Sequence, residues 1–122
     1  MHEVDMTKAL LQTLYDWWQA SACPVVQEVH LQVGEFTCVE PQSLQTAFAA
    51  AVPGTFLAHC TLHIESIPLV GYCHRCGHTY QPQLEQAYAC PTCHAPLADI
   101  VSGRELKIAH IVTAPDAYAQ NC

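Results

Sequence analysis

Between residues 3 and 22 the apolar positions Met6, Leu10, Leu14 and Trp17, joined by Leu11 and Trp18, recur at spacings of three and four, while Lys8, Gln12, Asp16 and Gln19 fall elsewhere. That periodicity predicts an amphipathic helix. Glu3 and Asp5 stand where the positive end of its dipole favours acids. Cys23-Pro24 should end it, because the residue before a proline avoids the helical region. The period then changes to two. Val29, Leu31 and Val33 alternate with His30 and Gln32, predicting a half-buried strand closed by Gly34. A second helix follows, with Pro41 at its first position and Leu44, Ala47, Phe48 and Ala51 on one face, broken by Pro53-Gly54. Cys60, Leu62 and Ile64 alternate with Thr61, His63 and Glu65 as a second strand. A third runs through Leu106, Ile108 and Val112 with Lys107 and Ala109 on its other face, and the tail after Ala114 is expected to fray.

Between the last two strands, from Pro68 to about Gly103, the pattern fails. This stretch holds four prolines, paired cysteines and few large aliphatics, too few to build a core of its own. The expected fold class is therefore α+β: a small three-stranded sheet covered by two helices, with an inserted four-cysteine zinc-ribbon-like module. The expected division is 1–67 plus 104–115 as an α/β domain, 68–103 as the zinc-binding domain, and 116–122 as a C-terminal tail.

Composition narrows the function. The 122 residues carry 4 basic and 11 acidic side chains, a formal charge of −7. Lys8, Arg75, Arg104 and Lys107 are too few to neutralise a run of phosphates, which disfavours general nucleic-acid binding. With 51% hydrophobic residues the chain is expected to be globular rather than disordered. No apolar run reaches the roughly 18 residues of a membrane span, and no signal peptide opens the chain, so no membrane association and a cytoplasmic location are expected. A reducing compartment implies thiols that are free or metal-bound. Cys23, Cys38, Cys60 and Cys122 are scattered singly and read by default as buried small hydrophobes.

The other four cysteines form Cys73-x2-Cys76, thirteen residues, Cys90-x2-Cys93. Each C-x-x-C aims two thiolates at one ion from a tight knuckle, and two facing knuckles complete the tetrahedron that Zn²⁺ accepts. Gly77 supplies a permissive backbone after the first pair and Pro91 stiffens the second. A filled set leaves no open coordination position, so the zinc is structural. The same knuckles resemble those of rubredoxins, which leaves an iron electron carrier as one alternative and a zinc-ribbon protein-interaction module as another. His74, His78 and His94 crowd the module, and exchange of His78 or His94 onto zinc is an open expectation.

The chain opens Met1-His2-Glu3. Methionine is removed only before small residues, so Met1 should stay. Its α-amine, the His2 amide nitrogen and the His2 imidazole then form one chelating unit, a flat nitrogen array suited to Ni²⁺ or Cu²⁺. Glu3 would supply a fourth donor, and Glu40 another if the fold brings it near. No glycine-rich phosphate loop and no joined Ser/His/Asp constellation point to catalysis, so no catalytic or cofactor-binding residue is assigned.

Met1-His2-Glu3, the run Val33-Gly34-Glu35-Phe36 leading to Val39-Glu40-Pro41 and Leu44, the 55–67 segment, the four paired cysteines and Ser102-Gly103-Arg104-Glu105-Leu106 resemble, in the same order, the HypA/HybF family. The resemblance covers essentially the whole chain; Asp5 departs from the small or hydroxyl residue often found there. It implies a nickel metallochaperone for [NiFe]-hydrogenase maturation, with nickel at His2 and structural zinc at Cys73, Cys76, Cys90 and Cys93. It further implies the GTPase HypB and the hydrogenase large subunit as partners. Monomer and dimer both remain open.

Overall fold

The computed structural model describes residues 3–119. Its elements are α1 (Glu3–Ala20), β1 (Pro24–Gly34), α2 (Pro41–Ala51), β2 (Thr61–Ile67), β3 (Val70–Cys73), β4 (His78–Tyr80), β5 (Asp99–Ser102) and β6 (Leu106–Tyr118). Two three-stranded sheets result, ordered β2-β1-β6 and β4-β3-β5. The expected α+β class is what the chain adopts. It divides into a unit of 1–31, 39–65 and 108–122 and a second unit of 32–38 and 66–107.

In the first unit α1 buries Met6, Leu14 and Trp18 from its apolar stripe, together with Thr7. The Thr7 hydroxyl donates to the Glu3 carbonyl at 2.7 Å, so its burial strands no polar group. Trp18 stacks on Phe56 with centroids 4.5 Å apart, and its indole N–H donates to the Pro24 carbonyl at 2.8 Å. The helix ends at Ala20 rather than continuing to residue 22. The Cys23 amide reaches back to the Trp18 carbonyl at 2.8 Å, and Ala22 and Cys23 turn left-handed with φ of 65° and 57°. That six-to-one bond is the ordinary way to satisfy an orphan helix carbonyl, here made without a glycine.

Pro41 takes the first position of α2 as expected, and the Glu40 side chain caps it. Leu44 and Phe48 of α2, Val29 and Leu31 of β1, Leu62 of β2 and Leu57 are buried, and they form the unit's core. β1 starts five residues earlier than Val29, and its inward–outward alternation is interrupted where Gln27 and Glu28 both lie between buried Val26 and Val29.

Two expectations for β6 fail. The strand runs on to Tyr118, and the Ala119 amide donates to the Cys23 carbonyl at 2.7 Å, so residues 115–119 are not frayed. Leu106, expected to face inward, is 45% exposed, and no residue of the strand is fully buried. An edge strand has one neighbour, and half its surface stays open.

The second unit builds more than a loop. β3 pairs antiparallel with β4 (Tyr72 opposite Thr79, Cys73 opposite His78) and with β5. Its small core joins Cys73, Tyr80 and Cys90, with Leu97 and Ala95 packed against them. A core of this size was not expected from so few aliphatics; sulfur and one tyrosine ring take the aliphatics' place. Two short motifs distant in sequence meet here. The Gly34 amide donates to the Glu105 carbonyl at 2.7 Å, and the Phe36 amide to the Gly103 carbonyl at 2.8 Å. A Cβ on Gly34 would lie 2.0 Å from the Gly103 oxygen, and one on Gly103 would lie 2.6 Å from Leu69 Cα. Gly103 also holds φ +110°, so both glycines are required by close backbone approach.

Candidate metal centre

Cys73 closes β3 and Cys76 sits in the turn before β4. The Gly77 amide donates to the Cys73 carbonyl at 2.7 Å, the Cys76 amide points at Cys73 Sγ from 3.4 Å, and Gly77 carries φ +75°. The second pair repeats the same turn. The His94 amide donates to the Cys90 carbonyl at 2.8 Å, and His94 holds φ +61° in the place that Gly77 occupies in the first knuckle. One knuckle uses glycine for the left-handed position and the other accepts the strain of a histidine.

The two knuckles bring all four Sγ atoms within 4.8 Å of one another. Cys73 and Cys93 are 3.5 Å apart and Cys76 and Cys90 3.9 Å. A tetrahedral zinc with Zn–S bonds of about 2.3 Å spaces its sulfurs about 3.8 Å apart, so the cluster fits a structural zinc with no position left for substrate. Without the ion the sulfurs compete for protons. Backbone amides of Cys93 and Thr92, Cys93 first, hold the Cys90 thiol down to about 6, against an opposing contribution from burial. A hydrogen bond to the Cys93 sulfur, with burial and the neighbouring sulfurs adding to it, pushes Cys76 up to about 12. Zn²⁺ binds the deprotonated sulfurs, so its uptake releases protons from this set.

The three histidines around the module are placed apart from this set. His74 pairs with Asp99 on β5 and lies edge-on to Tyr72 at 4.9 Å. His78 is exposed, its Nδ1 within 3.1 Å of the Thr79 carbonyl. His94 serves the turn just described. Tyr80 closes the sulfur cluster on one side, its hydroxyl donating to the Tyr88 carbonyl at 2.9 Å.

Met1 and His2 lie outside the described residues. Glu3 is the first residue of α1 and half-buried. Glu40 is exposed, with Oε1 accepting from the Gln42 amide at 3.1 Å and Oε2 from the Ser43 hydroxyl at 2.9 Å. These bonds, Ser43 foremost, hold its carboxyl below the usual range. Both oxygens of Glu40 are therefore engaged in capping α2. Of the single cysteines, Cys38 is exposed and Cys60 half-buried, where burial raises its thiol. Cys23 is buried as expected but is disulfide-bonded, which corrects the expectation of thiols that are only free or metal-bound. Cys122 lies outside the described residues.

Sequence reasoning passed over a second convergence. Glu28, His30 and His63 bring ligand-type atoms within 4.8 Å of one another. The available signal was Glu28-x-His30, two outward positions on one strand, which is weak until the neighbouring strand is aligned.

Among the described residues no helix is long and apolar enough to cross a membrane. A family model described as hydrogenase/urease nickel incorporation, metallochaperone, HypA, matches residues 1–113. A hydrogenase maturation factor HypA of Synechococcus sp. is 55% identical over 112 residues, 91% of this chain and 85% of that protein. A guanidine hydrolase-activating protein A of Synechocystis sp. is 53% identical over 112 residues, 91% of this chain and 93% of that one. The solution structure of the Ni metallochaperone HypA from Helicobacter pylori superposes with a TM-score of 0.64 at 18% identity, covering 93% of this chain and 97% of that one, a likeness of fold.

Proposed function

The chain belongs to the HypA family, and from that premise we propose that it binds Ni²⁺ through its N-terminus and helps insert it into a [NiFe]-hydrogenase during maturation. The observation that carries this reading is the family match over 1–113, which takes in both Met1-His2-Glu3 and the four cysteines. Chemistry assigns the two metals to different places. Four thiolates in a closed tetrahedron suit a resident zinc that does not leave. Cargo needs a site that opens, and an α-amine, an amide nitrogen and the His2 imidazole on a chain end hold Ni²⁺ in the tetragonal geometry it prefers. Glu3 is the further donor. Glu40 joins the set only by giving up its cap on α2.

In this reading the protein is a carrier and not a catalyst. The GTPase HypB supplies nucleotide hydrolysis, the hydrogenase large subunit receives the ion, and the acidic chain meets basic partner surfaces in the cytoplasm. Moderate affinity is required of a donor, on the order of 1 μM, or about −8 kcal/mol. Equilibrium dialysis of the untagged chain against Ni²⁺ tests the assignment. His2→Ala, or one residue added before Met1, should remove one equivalent of nickel and leave zinc content unchanged. Unchanged nickel stoichiometry in both variants would overturn it.

The relative named for guanidine hydrolase activation matches almost as well as the one named for hydrogenase maturation, 53% against 55%. That near-equality carries a second reading, the same cargo delivered to a guanidine hydrolase. Offering the nickel-loaded protein to each metal-free client in turn decides between them by which one gains activity.

A further inference from the structure

One face of the sheet β2-β1-β6 carries a row of imidazoles, one from each strand. His63 of β2 stacks on His30 of β1 with centroids 4.4 Å apart and planes 12° from parallel, and His30 stacks on His110 of β6 at 4.0 Å and 16°. Glu28 precedes His30 by two residues and so shares its side of β1, opposite buried Val29 and Leu31. A single oxygen of Glu28, Oε1, lies between both rings, accepting from His30 Nε2 at 2.9 Å and standing 3.0 Å from His63 Nε2.

These spacings also describe a coordination sphere. Around an ion with bonds of about 2.1 Å to nitrogen and oxygen, donors at right angles stand about 3.0 Å apart. Because the His30 and His63 planes are nearly parallel, the exposed His63 ring turns out of the stack to aim its Nε2 lone pair at an ion held by His30 Nε2 and the Glu28 carboxylate. Each ring keeps one proton on Nδ1. His110 fixes the plane of the middle ring from the far side. Beside the row lies a shallow cavity of about 500 Å³ lined in part by Glu28, His59 and His63, with room for water in the remaining positions. His63 is exposed while Glu28 and His30 are half-buried, so the donors are reachable yet held. Two imidazoles and one carboxylate select borderline transition ions over Mg²⁺ and Ca²⁺.

We propose that Glu28, His30 and His63, with His110 as the positioning ring, form a second, exchangeable site for a divalent transition-metal ion such as Ni²⁺, Cu²⁺ or Zn²⁺. The site is independent of the N-terminal reading, and the test keeps the two apart. The zinc-loaded full chain carrying His2→Ala and one extra N-terminal residue is titrated with Ni²⁺ alone, following histidine ring signals by NMR. One equivalent should bind and broaden His30, His63 and His110 before the other rings. His63→Ala and Glu28→Gln should each weaken that binding at least tenfold, and His74→Ala, at an exposed histidine–carboxylate pair elsewhere, should leave it unchanged. Glu28→Gln guards against a folding defect in His63→Ala, since the amide keeps the carboxylate's shape. No binding by the folded chain would overturn the proposal. So would equal binding in both site variants, or broadening that begins at His74, His78 or His94.

Discussion

The sulfur cluster and the imidazole row answer the same chemical problem in opposite ways. Cys73, Cys76, Cys90 and Cys93 come from two copies of one tight turn, so most of the geometry is made locally, and Cys73 and Cys90 are only 5% and 1% exposed. Glu28, His30, His63 and His110 come from three strands, so their geometry exists only once the sheet register is set. One set is soft, complete and sheltered; the other is borderline, incomplete and open. A closed thiolate tetrahedron holds a metal as part of the fold. An open set with water positions exchanges it. Closure and burial mark the sulfur cluster as a resident site, and openness marks the proposed imidazole site as an exchangeable one.

The contrast breaks most severely at a zinc ligand. Cys73→Ser should abolish zinc binding, worth about 10–16 kcal/mol in small structural sites, and unfold the second unit. Backbone NMR should then show signals from 66–107 collapsing while those of residues 61–65 in β2 and 24–31 in β1 persist. Loss of both sets together would mean the two clusters are not supported separately.

The next largest effect is expected where Gly34 meets Gly103. Gly103→Ala combines a left-handed φ with a Cβ 2.6 Å from Leu69 Cα, and should cost about 3 kcal/mol in denaturant unfolding. Acid should act at the same junction. The amides of Glu105 and Gly103, in that order, hold the Glu105 carboxyl below its usual range. A lowered carboxylate stabilises the fold above the ordinary carboxylate range and loses that contribution as pH falls through the lowered value. Glu105→Gln should therefore destabilise the protein near neutrality and flatten the acid limb of its stability profile between those two values.

Smaller changes sharpen the comparison of the knuckles themselves. Gly77→Ala meets open space but a φ of +75°, so it should cost about 1 kcal/mol by backbone strain alone. His94→Gly at the equivalent turn should stabilise by a similar amount. Thermal unfolding of the zinc-loaded unit reads both, and equal signs would show that the two turns are not equivalent. The α2 cap is the mildest case: Glu40→Ala should lose about 1 kcal/mol or less of stability.

Local chemistry was legible in the chain. The stripe through Met6, Leu14 and Trp18 announced α1, Pro41 announced the start of α2, and the two C-x-x-C pairs announced the zinc centre, because each signal acts within a few residues of itself. Helix length was less legible, since α1 stops where a carbonyl at Trp18 finds the Cys23 amide. The sheet within the cysteine-rich stretch was not legible at all. β3, β4 and β5 are four, three and four residues long, too short for alternation to register, and Tyr80 and the sulfurs supply the burial that aliphatics normally signal.

The α+β class, the closed thiolate ligand set and the family resemblance all follow from patterns written in consecutive residues, where spacing along the chain is already spacing in space. The meeting of Gly34 with Gly103 and the gathering of His30, His63 and His110 around Glu28 follow from strand pairing across long stretches of chain. Pairing is decided by which register buries the most apolar surface, and that is a property of all the strands together. The residues brought face to face by it carry no mark of one another in the order of the letters.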